Sequence, residues 1–253
     1  MTMSRVRRLA VAAVFPLVFV CPGLLRGDEA EAEAVQAVEA LGGEVIRDEK
    51  SQGKPVTGVI LDFSAVTDQR LEELVKFRQL RHLSLAGTQV TDEGMKELGK
   101  LERLTHLDLS NTAVTGEGLK ELGRLERLAY LNLGGAEVTD AGMKGLGQLK
   151  QLRLLYLYHT EVTDAGLKEL DKLERLTDLD LEGTELTDAG VKELAKLERL
   201  RLLDLSGTKA TAAGVKGLAA LGELKVLKIA KTTVTDAEVA EIRKALPRVK
   251  LER

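Results

Sequence analysis

The chain has 253 residues, 44% apolar but only 3% aromatic, with no tryptophan and a formal net charge of −3. Leucine must therefore carry the interior, in many thin layers rather than one aromatic-rich centre. The acidic balance argues against nucleic acid as a partner, because phosphate binding needs a basic surface.

Residues 1–27 open with Arg5, Arg7 and Arg8 and continue as an apolar run, Leu9 to Val20, interrupted by Pro16. This pattern predicts a secretory signal, too short for a comfortable membrane span, with cleavage between Gly23 and Ala30. The mature chain is expected to be secreted, or held in the periplasm or cell envelope, with no membrane span left. The single cysteine, Cys21, lies in this segment. The remainder has no disulfide, thiol chemistry or thiolate metal site, so packing alone must stabilise it. Losing Arg5, Arg7, Arg8 and Arg26 lowers the net charge by four, from −3 to −7.

Residues 28–57 read as an N-terminal cap. A helix is expected over about Glu29 to Leu41, stopped by Gly42-Gly43, followed by a strand at Glu44 to Arg47 and a polar loop.

Residues 58–236 repeat with a period of 24 and no insertions. Thr67-Asp68, Thr91-Asp92, Thr139-Asp140, Thr163-Asp164, Thr187-Asp188 and Thr235-Asp236 mark the register, with Thr115-Gly116 and Thr211-Ala212 as variants. Leu-x-Leu recurs at Leu83/Leu85, Leu107/Leu109, Leu131/Leu133, Leu155/Leu157, Leu179/Leu181 and Leu203/Leu205, closing with Leu227/Ile229. Alternation at period two predicts a short strand with its leucines inward. Thr-Asp-x-Gly then starts a helix, the threonine capping and the aspartate facing the dipole. Met95, Leu98 and Leu101 form one apolar stripe, and Lys96, Lys120, Lys144, Lys168 and Lys192 face outward. Gly94, Gly118, Gly142, Gly166, Gly190 and Gly214 weaken each helix. They are read either as close contacts with the adjacent coil or as tolerated loop residues.

The consensus LxxLxLxxTxVTDxGLKxLxxLxx resembles the leucine-rich repeat family, over residues 59 to about 251. Its T-x-V-T-D-x-G-L part is most similar to repeats of F-box-associated and related bacterial proteins. Where the family usually has Asn or Cys, this chain has Thr88, Thr112, Thr160, Thr184, Thr208 and Thr232, with Ser64 and Ala136 as variants. A hydroxyl there is expected to bond a neighbouring turn's backbone. The resemblance implies an α/β leucine-rich repeat solenoid, a horseshoe of about eight repeats, with parallel strands on the concave face and helices on the convex face. An F-box-type role is set aside, since residues 28–57 are too short for that domain and a secretion signal contradicts it. Residues 237–253 read as a C-terminal cap. Glu238 replaces the glycine, the helix stops before Pro247, and Arg248 to Leu251 form a charged last strand.

Between the inward leucines, three columns face out. Their informative residues are His82, His106, Tyr130 and Asp178 in the first, Asp108, Asn132, Tyr156, Asp180 and Asp204 in the second, and Tyr158 and Glu182 in the third, with His159 one residue beyond. All three tyrosines lie in these columns although the repeat requires no aromatic there. Large amphipathic side chains on a concave face suit a binding surface. The plainer reading is that they merely tolerate a half-exposed sheet position. These twelve residues are taken as the partner-binding set. A metal site at His82, His106 and Asp108 lacks a supporting motif, and calcium at the acidic residues lacks a flexible ligand loop. No nucleophile elbow, HExxH or phosphate loop occurs. The expectation is a non-enzymatic monomer, without cofactor, binding a protein, possibly a basic one. A glycan-binding envelope protein and a passive structural repeat are the alternatives.

Overall fold

The computed structural model describes residues 22–253. Residues 1–21 of the expected secretory signal therefore lie outside the described residues. Among them, no helix is long and apolar enough to cross a membrane.

The first helix, α1, runs from Pro22 to Ala40. It begins earlier than expected and passes through the expected cleavage window. Gly42 ends it at φ +77° while the Gly43 N–H reaches back to the Val38 carbonyl at 3.0 Å. That is a Schellman closure. Among the described residues, a single sheet of ten strands follows in strict chain order. Strand β1 (Glu44–Arg47) pairs antiparallel with β2 (Val56–Ile60), and every later pair is parallel. The others are three residues each: β3 (His82–Ser84), β4 (His106–Asp108), β5 (Tyr130–Asn132), β6 (Leu154–Tyr156), β7 (Asp178–Asp180), β8 (Leu202–Asp204), β9 (Val226–Lys228) and β10 (Lys250–Glu252). The sheet is thus two strands longer than the repeat count, because both flanking segments add one.

On the other side lie short α and 3-10 segments, not the uniform helices the apolar stripe suggests. Asp68–Lys76 and Glu117–Arg124 are entirely 3-10, whereas Asp140–Leu146 and Asp188–Leu194 are α. Strands stack at about 4.8 Å, but packed α-helices need roughly 8–10 Å between axes. Helices must therefore lie outside the curve. Slender 3-10 turns and glycine contacts narrow the mismatch.

The core is a stack of leucine layers. In one coil Leu83, Leu85, Leu98 and Leu104 are at most 2% exposed. Each such side chain contributes about 2 kcal/mol on burial.

The recurrent aspartate does more than face a helix dipole. Asp140 accepts from the next coil's Thr163 N–H (2.8 Å), Thr163 Oγ1 (2.6 Å) and Gly166 N–H (3.0 Å). Asp68, Asp92, Asp164 and Asp188 repeat the contact with Thr91, Thr115, Thr187 and Thr211. A Cβ on Gly94, Gly166, Gly190 or Gly214 would collide with the same carboxylate, which decides for close packing against the adjacent coil. Where Ala212 supplies no carboxylate, the next coil's glycine is replaced by Glu238. Its Oε2 takes the Thr235 N–H (2.8 Å) and hydroxyl (2.7 Å) within the same coil. The compensation is local: one missing acceptor, one added.

The threonine ladder is a correction. Thr88, Thr112, Thr160, Thr184 and Thr208 donate to the carbonyl three residues back in their own coil, at 2.6–2.8 Å, not to a neighbouring turn. The cross-coil bonds come from the aspartates instead.

Candidate functional site

The parallel register places His82, His106, Tyr130, Leu154, Asp178, Leu202 and Val226 in one row across the concave sheet. Ser84, Asp108, Asn132, Tyr156, Asp180, Asp204 and Lys228 form the second row. Cross-strand neighbours on one face stand about 5 Å apart, close enough for rings to touch.

They do touch. The His82 and His106 centroids are 4.5 Å apart at 30°, and His106 and Tyr130 stack at 5.6 Å and 24°. Tyr130 meets Tyr156 edge to face at 5.4 Å and 68°. Since Tyr130 pairs with Leu154, Tyr156 reaches it diagonally from the second row. The result is one continuous ladder, His82–His106–Tyr130–Tyr156, over four strands. Burial, aided by the Asp108 charge and Tyr156, pushes the Tyr130 phenol up to about 12. Burial and then Asp178 and Asp180 push Tyr156 up, whereas burial and His82 push His106 down. At neutral pH the tyrosines are therefore protonated phenols and His106 is a neutral imidazole.

Tyr158 and His159 stand off this ladder. The Tyr158 ring lies over Gly134, where any Cβ would strike it. His159 has φ +54° and belongs to a second periodic feature. Phe63, Gly87, Asn111, Gly135, His159, Gly183, Gly207 and Lys231 all occupy the left-handed region, 24 residues apart. The side chains of Phe63, Asn111 and His159 lie over Gly87, Gly135 and Gly183 of the next coil. Asn and His are the residue types that tolerate this backbone best. Phe63 does not belong to them, and it is 80% exposed.

Gly183→Ala is expected to lower stability by about 2 kcal/mol, from left-handed strain and the collision with His159. Adding His159→Gly should recover about half of that loss in urea titrations. No recovery would mean that the imidazole does not cover Gly183.

The second row carries polar side chains with structural partners. Asp108, Asn132, Asp180 and Asp204 accept the N–H two residues on, from Ser110, Gly134, Glu182 and Ser206, at 2.8–3.0 Å. Each forms an Asx turn that ends its strand. Asn132 also donates to Asp108 Oδ2 at 2.9 Å. The reading of these columns as open to solvent therefore needs correcting at two places: Asn132 is 8% and Asp204 2% exposed. The signal was present, since an Asp or Asn two residues before a turn is the Asx pattern. Asp108, held by Ser110 and Asn132, does not join the two histidines.

Beyond Tyr156 the face turns acidic. Carboxylate oxygens of Asp180, Glu182 and Asp204 lie within 4.8 Å of one another. Burial raises Asp180, and the charges of Asp204 and Glu182 add to it. Lys228, the last residue of the second column and outside the expected binding set, puts its ammonium 3.0 Å from Asp204 Oδ2 and is raised by that bond. Asp180 and Asp204 each spend one oxygen on an Asx turn, and Lys228 takes the other oxygen of Asp204. Asp178 stands between these acids and the ladder, its Oδ2 accepting from Thr177 Oγ1 at 2.6 Å.

A sequence model described as "Leucine-rich repeat region" matches residues 60–186, half of the chain. No curated protein matches. Among solved structures the chain is similar to one titled as a crystal structure of PEPR1-AtPEP1, with TM-score 0.52 and 20% identity over 75% of this chain. It spans about a quarter of that longer chain, 26%. It is also similar to an internalin C2 from Listeria monocytogenes str. 4b F2365, with TM-score 0.54 and 22% identity, covering 81% of this chain and 92% of that one. At these identities the likeness is one of fold.

Proposed function

The chain belongs to the leucine-rich repeat family, and on that premise we propose that it is a secreted or envelope-located, non-enzymatic scaffold that binds a protein through its concave face. The observation that carries this reading is the ring ladder His82–His106–Tyr130–Tyr156. It is a contiguous amphipathic strip that the repeat itself does not need. The acidic end, with Asp178, Asp180 and Glu182, favours a basic residue in the partner. An extended segment laid across the strands would meet rings first and carboxylates second. The similar structure solved as PEPR1-AtPEP1 supports a reading by partner rather than by catalysis. The basic and apolar N-terminal segment supports a place outside the cytoplasm, and we propose that the protein acts as a monomer.

A glycan partner is the weaker reading. Sugars stack on open ring faces, whereas His82, His106 and Tyr130 spend their faces on one another and present edges and polar tips.

The test is affinity capture from the producing organism's envelope extract, comparing wild type with a Tyr130→Ala/Tyr156→Ala variant of unchanged circular dichroism. Capture is expected to fall more than about tenfold in the variant, the loss of hot-spot aromatics. It should weaken with salt and vanish after protease treatment of the extract. Equal capture by both proteins would refute the concave-face site. Loss on periodate but not protease treatment would make the partner a glycan.

A further inference from the structure

The rim where strands begin carries a groove with its own charge character. Arg153, Thr177 and Arg201 are the residues just before β6, β7 and β8. Their backbones are bonded rung to rung: the Thr177 N–H donates to the Arg153 carbonyl at 2.8 Å, and the Arg201 N–H to that of Thr177 at 2.7 Å. At about 4.8 Å per rung, the two arginines stand roughly 10 Å apart with a small hydroxyl residue between them. Arg175 and Arg199 project from the turns two residues earlier in the same coils. With Glu223 these side chains line an open groove of about 420 Å³.

Four guanidiniums face one carboxylate there. Arg201 is paired with Glu223, Nε at 3.1 Å and Nη2 at 3.0 Å. Arg175 donates to neutral Gln151 at 2.5 Å. Among the described residues, Arg153 and Arg199 form no ion pair. Further along the same rim the excess is smaller: Arg103, Arg124 and Arg127 alternate with Glu102 and Glu126, three guanidiniums to two carboxylates. The excess belongs to the lining of this groove, in a chain whose net charge is −3; Arg199 also borders an adjoining groove that holds Asp171, Glu174 and Glu198. Guanidinium forks from separate coils approach a common volume from several directions, which suits a tetrahedral, multiply charged oxyanion better than a planar carboxylate.

We propose that this groove binds a phosphate or sulfate group, through Arg153 and Arg199 first, with Arg201 and Arg175 completing the cradle and Thr177 offering its hydroxyl. The site lies on the strand-entry rim and is independent of the ring ladder.

The intact chain is titrated at low salt with inorganic phosphate, inorganic sulfate and acetate while the arginine side-chain N–H resonances are followed. Phosphate or sulfate should shift Arg153 and Arg199 saturably, and acetate should not. The tighter of the two anions identifies the ester class. Arg153→Gln/Arg199→Gln should weaken binding about tenfold or more, the loss of charge-assisted bonds. Arg103→Gln/Arg127→Gln, of equal charge change on the same rim, should leave it unaltered. Non-saturating shifts, or equal weakening by both variants, would overturn the proposal by reducing it to general charge attraction.

Discussion

Gly142→Ala should lower the stability of the solenoid by about 3 kcal/mol, at the upper end of overpacking effects. A Cβ at Gly142 would stand 2.5 Å from the Gly116 Cα, 2.9 Å from its carbonyl carbon and 3.0 Å from the Thr115 oxygen. All three are backbone atoms, so no rotamer change can relieve the contact, and the coils themselves must part. Parting them strains the leucine layers on either side, because each coil packs only on its neighbours. Gly217→Ala is the matched control. Nothing lies within 4 Å of its Cβ position and its φ is −62°, so alanine should be neutral or mildly stabilising there. Urea unfolding of both variants measures the difference. Equal midpoints would show that the coil spacing is not set by glycine contact.

Asp92→Ala is the second large effect, also about 3 kcal/mol, from four donors losing one acceptor group. Asp92 takes Thr115 Oγ1 at 2.6 Å and the N–H groups of Gly118 (2.9 Å), Thr115 (3.2 Å) and Gly116 (3.2 Å). Burial pushes this carboxyl up, but the bonds from Thr115, Gly118 and Gly116 outweigh it and hold it below the ordinary value. A depressed folded pKa stabilises above the unfolded value of about 3.9 and loses that contribution as pH falls through the folded one. The stability gap between wild type and Asp92→Ala should therefore be constant from about pH 5 to 7 and narrow below about pH 4. Asp92→Asn, with one carbonyl oxygen left, should fall between them. A gap that widens on acidification would contradict the assignment of Asp92 as an ionised acceptor.

These two residues mark where reading the chain in one dimension stops. The glycine and aspartate positions are obvious in the repeat, but their meaning lies one coil away. Asp92 looks like a helix-dipole residue when its own coil is considered alone. Its acceptor role appears only when Thr115 and Gly118, over twenty residues later, are stacked beneath it. The same holds for Glu238, whose substitution for glycine looks like decay of the repeat. It makes sense once Ala212, in the preceding coil, is seen to lack the carboxylate. The threonines misled for the opposite reason: their bonds are shorter in range than the family pattern implies.

The binding face divides along the same line. Period two within a strand and period 24 along the chain place His82, His106, Tyr130 and Tyr156 on the concave side from sequence alone. They do not tell that Tyr156 crosses diagonally to Tyr130, that Tyr158 folds over Gly134, or that His159 is held left-handed above Gly183.

What the sequence determined by itself was the architecture: coil length, leucine layers, parallel stacking and the side each position faces. Those follow from local periodicity, and eight copies in one register leave a single way to bury the leucines. What the tertiary structure decided was every contact between coils: the aspartate bridges, the glycine spacing, the burial of Asn132 and Asp204, and the pairing of Lys228 with Asp204. The physical reason is distance. Those partners are some 24 residues apart in the chain and about 5 Å apart in space, and only the stacked backbone fixes which atoms meet.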